Sequence, residues 1–235
     1  RANIIIETNV PVCTTGRADP GEKAVRMLKD AGVKVVSVIP TVELARRMED
    51  EGADAVVASG TEAGGHVGSV ATMPLVPMVV DAVSIPVIAT GGIADARGLL
   101  AAFALGAQGV QIGTRFMATT ESDLNAWGMS QLIEMRETDT IVSRAMTGST
   151  VRCITTPELK GYEEARLSGA SKEELSKLRK AVVRGRNTDK DEKRQSAMGQ
   201  IGGMIDDILP VSELIENMIS EAARLAGDIN KVAKS

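Results

Sequence analysis

The sequence predicts an α/β fold built on buried parallel strands. Between residue 9 and about residue 117, five short runs rich in Val and Ile alternate with amphipathic stretches. Four runs end in Gly or Pro and the fifth has Gly-Thr close to its end, which is typical of a strand followed by a turn. Hydrophobic residues make up 43% of the 235 residues and aromatic residues only 2%. A core of Val, Ile, Leu, Ala and Met suits parallel strands that are covered by helices.

Strands and helices alternate along this part of the chain. The predicted strands are "NVPVCTTG" (9–16), "VKVVSVIP" (33–40), "ADAVVASG" (53–60), "IPVIATGG" (85–92) and "GVQIGTRF" (109–116). The helices between them are predicted over 21–32, 41–52, 71–83 and 95–106. Thr41 and Asp95 are suitable helix starts, and suitable stops are Gly32, Gly52 and Gly106. Pro74 and Pro77 confine the third helix to the later part of its segment.

The alternation implies parallel strands joined by right-handed crossovers. A closed (β/α)₈ TIM barrel needs eight strands. The five runs would then be the later strands of a barrel whose N-terminal strands are missing from this chain, and "RANIIIE" could hold a remnant of one more element. An open, doubly wound sheet that is complete in itself fits the spacing equally well.

The pattern changes after Phe116. We assign residues 1–122 to the later half of a barrel, and residues 123–235 to a helical subdomain with a C-terminal helix. Helices are predicted over 121–139, 157–167 and 171–183, extended chain over 140–154, and a solvated loop over the charge run 184–194. The last helix has an apolar stripe that we expect to pack against the main domain. The stripe consists of Val211, Leu214, Ile215, Met218, Ile219, Ala222, Leu225 and Ile229.

Composition excludes several function classes. With 27 basic and 31 acidic residues the formal net charge is −4, so a nucleic-acid partner is not expected. No apolar run approaches the roughly 20 residues of a membrane span, and no signal-peptide pattern opens the chain. Cys13 and Cys153 lie far apart and are expected to be reduced thiols of a cytoplasmic protein. His66 is the only histidine, so no metal site is predicted.

Three loops follow predicted strands and contain the residues that could support chemistry. They are "GTEAGGHVG" after the third strand, "TGGIAD" after the fourth and "QIGTRF" after the fifth. In parallel α/β folds, ligands bind at the carboxyl ends of the strands. Gly91 and Gly92 allow backbone amides to approach an anion, and Gly113 and Thr114 supply further amides and a hydroxyl. Two such loops on consecutive strands predict a phosphate site, although glycine also serves plain turns.

His66 lies on a glycine-rich loop at the same presumed face. A lone histidine is more often a surface or structural residue, but an imidazole can give or take a proton near neutral pH. Its place beside Gly64, Gly65 and Gly68 favours a role in the site. Glu62 could orient the ring or only cap the loop.

"EAGGHVG", "IPVIATGGIADARG" and "GAQGVQIGTRF", in this order and at this spacing, resemble one known family. They are similar to the FMN-dependent nitronate monooxygenases (formerly 2-nitropropane dioxygenases) and enoyl-acyl-carrier-protein reductase II. The resemblance extends upstream through "TTGRADP" and downstream to "MGQIGGMI". It implies a (β/α)₈ barrel that carries FMN, with a helical subdomain over the active site.

The resemblance also assigns site residues. His66 would match the family's catalytic histidine, and Gly64 and Gly65 would lie against the flavin. The residues that would hold the phosphate of FMN are Gly91, Gly92, Gln111, Ile112, Gly113 and Thr114. Two departures stand out: Ser59 replaces a glutamine of many monooxygenases, and the family's first strands have no counterpart here. A non-catalytic barrel fragment that retains a phosphate site is therefore one hypothesis.

Two activities are compatible with the resemblance, and "TTGRADP" and "MGQIGGM" favour the reductase branch. The favoured reaction is the reduction of enoyl-acyl-carrier-protein thioesters in fatty acid synthesis, with NADH or NADPH as electron donor. The alternative is the oxidation of alkyl nitronates by oxygen. The expected partner is a small-molecule or acyl-carrier-protein-bound substrate, with neither nucleic acid nor membrane, and a homodimer is one option for assembly.

Overall fold

The structure is a computed structural model that describes residues 2–16, 20–186 and 197–232. The described strands are β1 (Val12–Thr15), β2 (Lys34–Ile39), β3 (Ala55–Ser59), β4 (Gly65–His66), β5 (Val87–Thr90), β6 (Gly109–Gln111), β7 (Thr140–Ser143) and β8 (Val151–Ile154). The described α-helices are α1 (Ala2–Glu7), α2 (Glu22–Asp30), α3 (Val42–Asp50), α4 (Thr72–Val80), α5 (Ala96–Ala104), α6 (Thr114–Met117), α7 (Ala126–Ile133), α8 (Pro157–Leu167), α9 (Lys172–Arg186) and α10 (Val211–Val232). None of these helices is long and apolar enough to cross a membrane.

The chain forms two compact units that interleave along the sequence. Unit 1 comprises Arg1–Thr61, Gly68–Gly91 and Gly98–Gln111. Unit 2 comprises Glu62–Val67, Gly92–Arg97 and Ile112–Ser235. Short loop segments of the first half of the chain thus belong to the unit that contains the second half. The division of the chain at residue 122 stays a prediction.

Unit 1 is organised around a parallel sheet with the strand order β1-β2-β3-β5-β6. All five predicted strands are confirmed within it. Each strand lies beside the next one in the chain, whereas a doubly wound sheet reverses its order at a switch point. The predicted α/β class is confirmed, and the order is the one that strands follow in a (β/α)₈ barrel. Every residue of β3 is buried, as its Val- and Ala-rich sequence predicts.

The predicted helix boundaries of unit 1 are confirmed at most positions. The side chain of Thr41 accepts a hydrogen bond from the amide of Leu44 at 3.2 Å and so caps α3. The three predicted stops all have positive φ, a backbone conformation that glycine adopts without steric cost. Their φ angles are 78° at Gly32, 98° at Gly52 and 94° at Gly106.

The prediction for α4 is wrong at its start. We expected Pro74 and Pro77 to confine this helix to its later part, but it begins at Thr72. Pro74 lies in the first turn, where a backbone N–H has no partner within the helix, so proline is tolerated there. Pro77 lies inside the helix and removes one intrahelical hydrogen bond. Residues 2–7 of the segment "RANIIIE" also form α1, whose Ile5 and Ile6 pack against buried residues of α2.

Unit 2 contains a three-stranded antiparallel sheet and most of the later helices. β7 and β8 form a hairpin, as the predicted extended chain requires, and β4 pairs with β8. The helices α7, α8 and α9 confirm the three predicted helical segments. The Gly-rich patch forms a 3₁₀ turn over Gln200–Met204. A buried cluster packs this turn against α7, and its members include Leu132, Met135, Met198, Ile201 and Ile205.

We expect from the sequence that the whole apolar stripe of α10 is packed, but only part of it is buried. Leu214, Met218 and Ala222 are buried because they share one face with a four-residue period. On the adjacent face, Ile215, Ile219 and Ile229 are 42%, 60% and 60% exposed. The predicted solvated loop over 184–194 lies outside the described residues from residue 187 onward, and its first three residues are the end of α9.

Candidate active site

The three predicted loops follow strands that are neighbours in the sheet. β3, β5 and β6 are adjacent and parallel, so their carboxyl ends lie at the same edge. The loop with His66 follows β3, the glycine pair Gly91–Gly92 follows β5, and Gly113–Thr114 follows β6. The amide of Gly60 donates to the carbonyl oxygen of Thr90 at 3.0 Å, which joins the first two loops at their bases.

Unit 2 brings most of the predicted site residues together. Of the nine residues, seven belong to its segments: Gly64, Gly65, His66, Gly92, Ile112, Gly113 and Thr114. The other two, Gly91 and Gln111, are each the last residue of a segment of unit 1. Positions between 64 and 114 in the sequence are thus close in space because three strand-end loops fold into one unit.

Glu62 connects the His66 loop with the glycine pair. A Cβ atom placed on Gly92 would lie 3.6 Å from the Oε1 atom of Glu62. The carbonyl oxygen of Glu62 accepts a hydrogen bond from the amide of Gln200 at 2.9 Å. Glu62 therefore has a structural position at the centre of the loops, which sequence analysis had left undecided.

Gly199 contacts two of the loops, those of Gly64 and Thr114, and was not predicted to belong to the site. Its amide donates to the Oγ1 atom of Thr114 at 2.8 Å. A Cβ atom on Gly64 would lie only 2.7 Å from the Gly199 nitrogen and 2.7 Å from the carbonyl carbon of Met198. The only signal in the sequence was the glycine-rich patch itself, and nothing in its spacing indicated which loop it would contact.

The close contact with Met198 and Gly199 explains why residue 64 is glycine, because any side chain would collide with this backbone. Gly65 has a φ of 86°, in the region that favours glycine. The prediction that both residues lie against the flavin stays a prediction. The structure shows that Gly64 is required by close packing and Gly65 by its backbone conformation.

Four of the eight predicted cofactor residues are exposed, and Thr114 is buried. Gly64, Gly92, Gln111 and Gly113 are exposed, whereas buried residues follow directly in the same loops or lie beneath them. These buried residues are Ile93, Ala94, Thr114, Arg115 and Met198. Such a surface leaves backbone amides accessible to a ligand while the loops themselves are fixed by packing.

The loops after β5 and β6 fit a phosphate group. A Cβ atom on Gly113 would meet no atom within 4 Å, so open space lies beside this residue. Gly91 and Gly92 have φ angles of 95° and 74°, which turn the backbone sharply after β5. Thr114 Oγ1 accepts from Gly199, so its own hydroxyl proton can be donated to an anion. The negative charge of the half-buried Glu62 near Gly92 would oppose a phosphate unless a cation balanced it.

Arg152 is that cation, and sequence analysis missed it. It lies on β8 opposite Gly65 and is only 7% exposed. Burial lowers the pKa of the Arg152 guanidinium, and the negative charge of Glu62 opposes this effect. Arg152 also donates to the Oγ1 atom of Thr140 at 2.8 Å. A guanidinium stays protonated in proteins, so a fixed positive charge faces the carboxylate of the His66 loop.

His66 is held by the β7–β8 hairpin. It pairs with Val151 of β8, and the amide of the next residue, Val67, donates to the carbonyl oxygen of Thr150 at 3.2 Å. In the turn of the hairpin, Thr147 Oγ1 lies 3.4 Å from His66 Nε2. One hairpin thus contacts both the backbone and the ring of the histidine.

Comparison with known proteins identifies the family. The profile described as nitronate monooxygenase matches residues 1–221. The chain belongs to the nitronate monooxygenase family. The family predicted from the sequence motifs is therefore confirmed, and with it an enzyme family of flavin-dependent oxidoreductases.

Curated relatives of this family match part of the chain. A probable nitronate monooxygenase of Staphylococcus aureus (strain MSSA476) is 44% identical over 160 residues, which cover 64% of this chain. The chain matches 45% of that relative's length, so less than half of the curated relative is covered.

Two solved structures of relatives align with nearly the whole chain. FabK from Thermotoga maritima is 40% identical, with a TM-score of 0.85 over 98% of this chain and 74% of FabK. A nitroalkane oxidase from Streptomyces ansochromogenes is 30% identical, with a TM-score of 0.79 over 97% of this chain and 68% of the oxidase. The chain is thus similar both to FabK and to a nitroalkane oxidase.

Proposed function

We propose that the protein is an FMN-dependent reductase that shares the reaction of FabK and reduces enoyl thioesters carried by acyl carrier protein. The observation that carries the proposal is the convergence of the three strand-end loops on Glu62 and Gly199 within one compact unit. The similarity to FabK over 98% of the chain supports the choice of reaction. NADH or NADPH is the proposed electron donor.

The residues that would hold FMN are those of the two glycine loops. Amides at Gly92 and Gly113 and the hydroxyl of Thr114 would donate to the phosphate, beside the open space at Gly113. The charge of Arg152 would balance Glu62, so that the site is not repulsive to an anion. When bound, FMN supplies the two-electron redox chemistry between the nicotinamide and the β-carbon of the enoyl thioester.

The part of His66 is proton transfer. Reduction of an enoyl thioester requires a proton at the α-carbon, and an imidazole can supply one near neutral pH. The hairpin that contacts His66 at its backbone and at Nε2 restricts the directions in which the ring can point. Fixing a proton donor in one orientation favours transfer to one carbon atom.

Nitronate oxidation is the second candidate function. The family profile and the curated relatives carry the name nitronate monooxygenase, and a nitroalkane oxidase aligns with 97% of the chain. The same residues would serve it, with His66 accepting the α-proton of a neutral nitroalkane, which leaves the nitronate, rather than giving a proton. The two reactions differ in what reduces the flavin.

Anaerobic stopped-flow measurements separate the two. Under the first proposal, NADH or NADPH bleaches the flavin absorbance and an enoyl thioester restores it. Bleaching by an alkyl nitronate, with no response to either nicotinamide, would refute the reductase and support the monooxygenase.

The third hypothesis is that the protein is not an enzyme but a barrel fragment that only binds phosphate. It shares the phosphate loops but binds no flavin in a working site. Purified protein that is yellow, with flavin absorbance that either reductant bleaches, contradicts this hypothesis. Colourless protein that binds inorganic phosphate but does not take up added FMN would support it.

A further inference from the structure

The second half of α9 carries positive charge only. Between residues 175 and 186 the chain contains five basic residues and no acidic residue, although its formal net charge is −4. Lys177, Arg179 and Lys180 of this stretch are exposed, and so is Arg144 in the turn of the β7–β8 hairpin. We call these four residues the α9 basic face.

The demands of the helix itself do not explain this charge. Basic residues stabilise the negative end of a helix dipole only within the last turn. Lys177 and Lys180 lie nine and six residues before Arg186, where α9 ends. The inner side of α9 has a structural role, because Leu175, Leu178 and Val182 pack into a buried cluster.

Ion pairing does not explain the charge either. Within the part of the chain that the structure describes, no ion pair reaches Lys177, Lys180 or Arg144, and the nearest acids along the helix are Glu174 and Glu173, three and four residues before Lys177. Other basic residues of the protein are paired with carboxylates, among them Lys29, Lys34, Arg115, Arg166 and Arg224. The basic face therefore presents cationic groups to solvent.

The α9 basic face is linked to the candidate active site by short contacts within unit 2. The Nε atom of Arg179 donates to the carbonyl oxygen of Ala145 at 3.0 Å. In the same turn, the amide of Gly148 donates to the carbonyl oxygen of Arg144 at 2.9 Å. The turn also contains Thr147, whose hydroxyl lies 3.4 Å from His66 Nε2. One short turn thus lies between Arg179 and the proposed proton donor, while Lys177 and Lys180 follow on the outer side of the same helix.

We propose that the α9 basic face is the docking surface for the acidic carrier protein that delivers the acyl thioester, an inference that rests on the proposed reductase function. A carrier protein rich in Asp and Glu, with its thioester on a long flexible arm, needs only charge complementarity near the entrance of the site. Charges at the rim of an interface act mainly on the association rate and make it depend on salt. The substrate arm then reaches the chemistry independently of the docking contacts.

The test compares one substrate group on two carriers. The flavin-loaded protein and its K177E/K180E variant are assayed with a four-carbon enoyl thioester of acyl carrier protein and with the uncharged thioester of N-acetylcysteamine. We expect the variant to raise KM for the carrier-protein substrate about 10-fold, because two favourable charges become unfavourable. KM for the uncharged substrate should stay unchanged, and added salt should reduce the difference between the proteins.

K23E is the matched control, since Lys23 is exposed on α2 and carries the same charge outside the α9 basic face. An unchanged KM in K177E/K180E overturns the proposal, and so does an equal rise with both substrates or an equal rise in K23E. Circular dichroism melting checks that the double variant is folded, and K177A/K180A should show a smaller rise in KM if charge is the cause.

A direct titration keeps this inference separate from the proposed function. Fluorescently labelled acyl carrier protein is titrated with each protein at low and at high salt, and anisotropy is recorded. Binding to the wild type that K177E/K180E loses supports the docking surface even if neither thioester is reduced. No binding to the wild type overturns it. Equal, Lys177-dependent binding of a DNA oligonucleotide or of anionic vesicles also overturns it, because the surface would then be a general polyanion site.

Discussion

The β7–β8 hairpin contacts both the backbone and the side chain of His66. β8 fixes the backbone, and the Thr147 hydroxyl approaches the ring at 3.4 Å. We expect His66→Ala to retain bound flavin but to lower turnover about 100-fold or more, as the loss of a proton-transfer group does. The measurement is turnover at saturating substrate together with the flavin content of the purified variant. Unchanged turnover would remove His66 from the mechanism.

Thr147 is expected to position the ring of His66. Its hydroxyl also lies 3.3 Å from both the amide and the carbonyl oxygen of Ser149, so the turn itself holds the side chain. Thr147→Val keeps the shape and removes the hydroxyl, and should lower turnover about 2- to 10-fold, the value of one hydrogen bond. Thr147→Ser should restore it. The pH dependence of turnover should shift in the valine variant alone, whereas a purely structural residue would change stability and leave that profile in place.

A substitution at Gly113 tests whether the loop after β6 binds the phosphate of FMN without disturbing the fold. Its φ of −107° suits any residue, and an added Cβ would meet no protein atom within 4 Å. Gly113→Ala should therefore leave the unfolding temperature of flavin-free protein unchanged. It should raise the Kd for FMN about 10-fold, if the methyl group takes space that the phosphate needs. Gly161→Ala on α8, also with open space, is the matched control. Equal affinities in all three proteins would show that Gly113 does not face the cofactor.

At the scale of elements, unit 2 depends on close contact between the Gly-rich patch and the segment that follows α7. A Cβ atom on Gly203 would lie 2.4 Å from the amide nitrogen of Glu137 and 2.8 Å from the carbonyl carbon of Arg136. Both are backbone atoms, so a side chain cannot be accommodated by a change of rotamer. The patch "AMGQIGGMIDD" is thus a packing element that also brings Gly199 to the site loops.

Gly203→Ala should lower the free energy of unfolding by about 1–3 kcal/mol, the usual effect of inserting a methyl group into a tightly packed contact. The measurement is chemical denaturation followed by circular dichroism. Gly227→Ala on α10 serves as control, because its Cβ would meet open space and alanine favours helix. If both variants are as stable as the wild type, Gly203 does not pack tightly against the segment that follows α7.

At the scale of the whole molecule, acid stability depends on a carboxylate that joins several elements of unit 1. Asp54, just before β3, accepts hydrogen bonds from Lys29 of α2 at 2.6 Å, Lys34 of β2 at 3.0 Å and the amide of Val35 at 2.8 Å. Burial raises the pKa of Asp54, but the hydrogen bonds from Lys29, Val35 and Lys34 outweigh it and lower that pKa to about 2. The stabilisation is present above the ordinary pKa of 3.8 and is lost as the pH falls through about 2.

Asp54→Asn should lower the free energy of unfolding at pH 7, because the charge that the two lysines contact is lost. The expected loss is only about 1 kcal/mol, since solvent partly screens the lysines. The difference between the variant and the wild type should shrink below pH 4 and vanish near pH 2. Thermal melts between pH 7 and pH 2 measure it. A constant difference over this range would show that the charge of Asp54 is not the cause.

Local patterns predicted most of the architecture. Val- and Ile-rich runs closed by turn residues predicted all five parallel strands, and Thr41 and Gly32 predicted helix ends, because these signals act within a few residues of the chain. Proline was misleading in α4, since its effect depends on whether it falls in the first turn. The stripe of α10 was misleading because an apolar residue can lie on a face that remains exposed.

By itself, the sequence determined the parallel α/β class, the family, and the three loops that follow adjacent strands. Only the tertiary structure decided that Arg152, Thr147 and Gly199 accompany these loops, since they lie at least 80 residues from the partners they contact or face. It also decided that Gly64 is required by backbone packing. The physical reason is sequence distance: turns and strand periods follow from neighbouring residues, whereas a contact between distant segments forms only where folding has brought their backbones together.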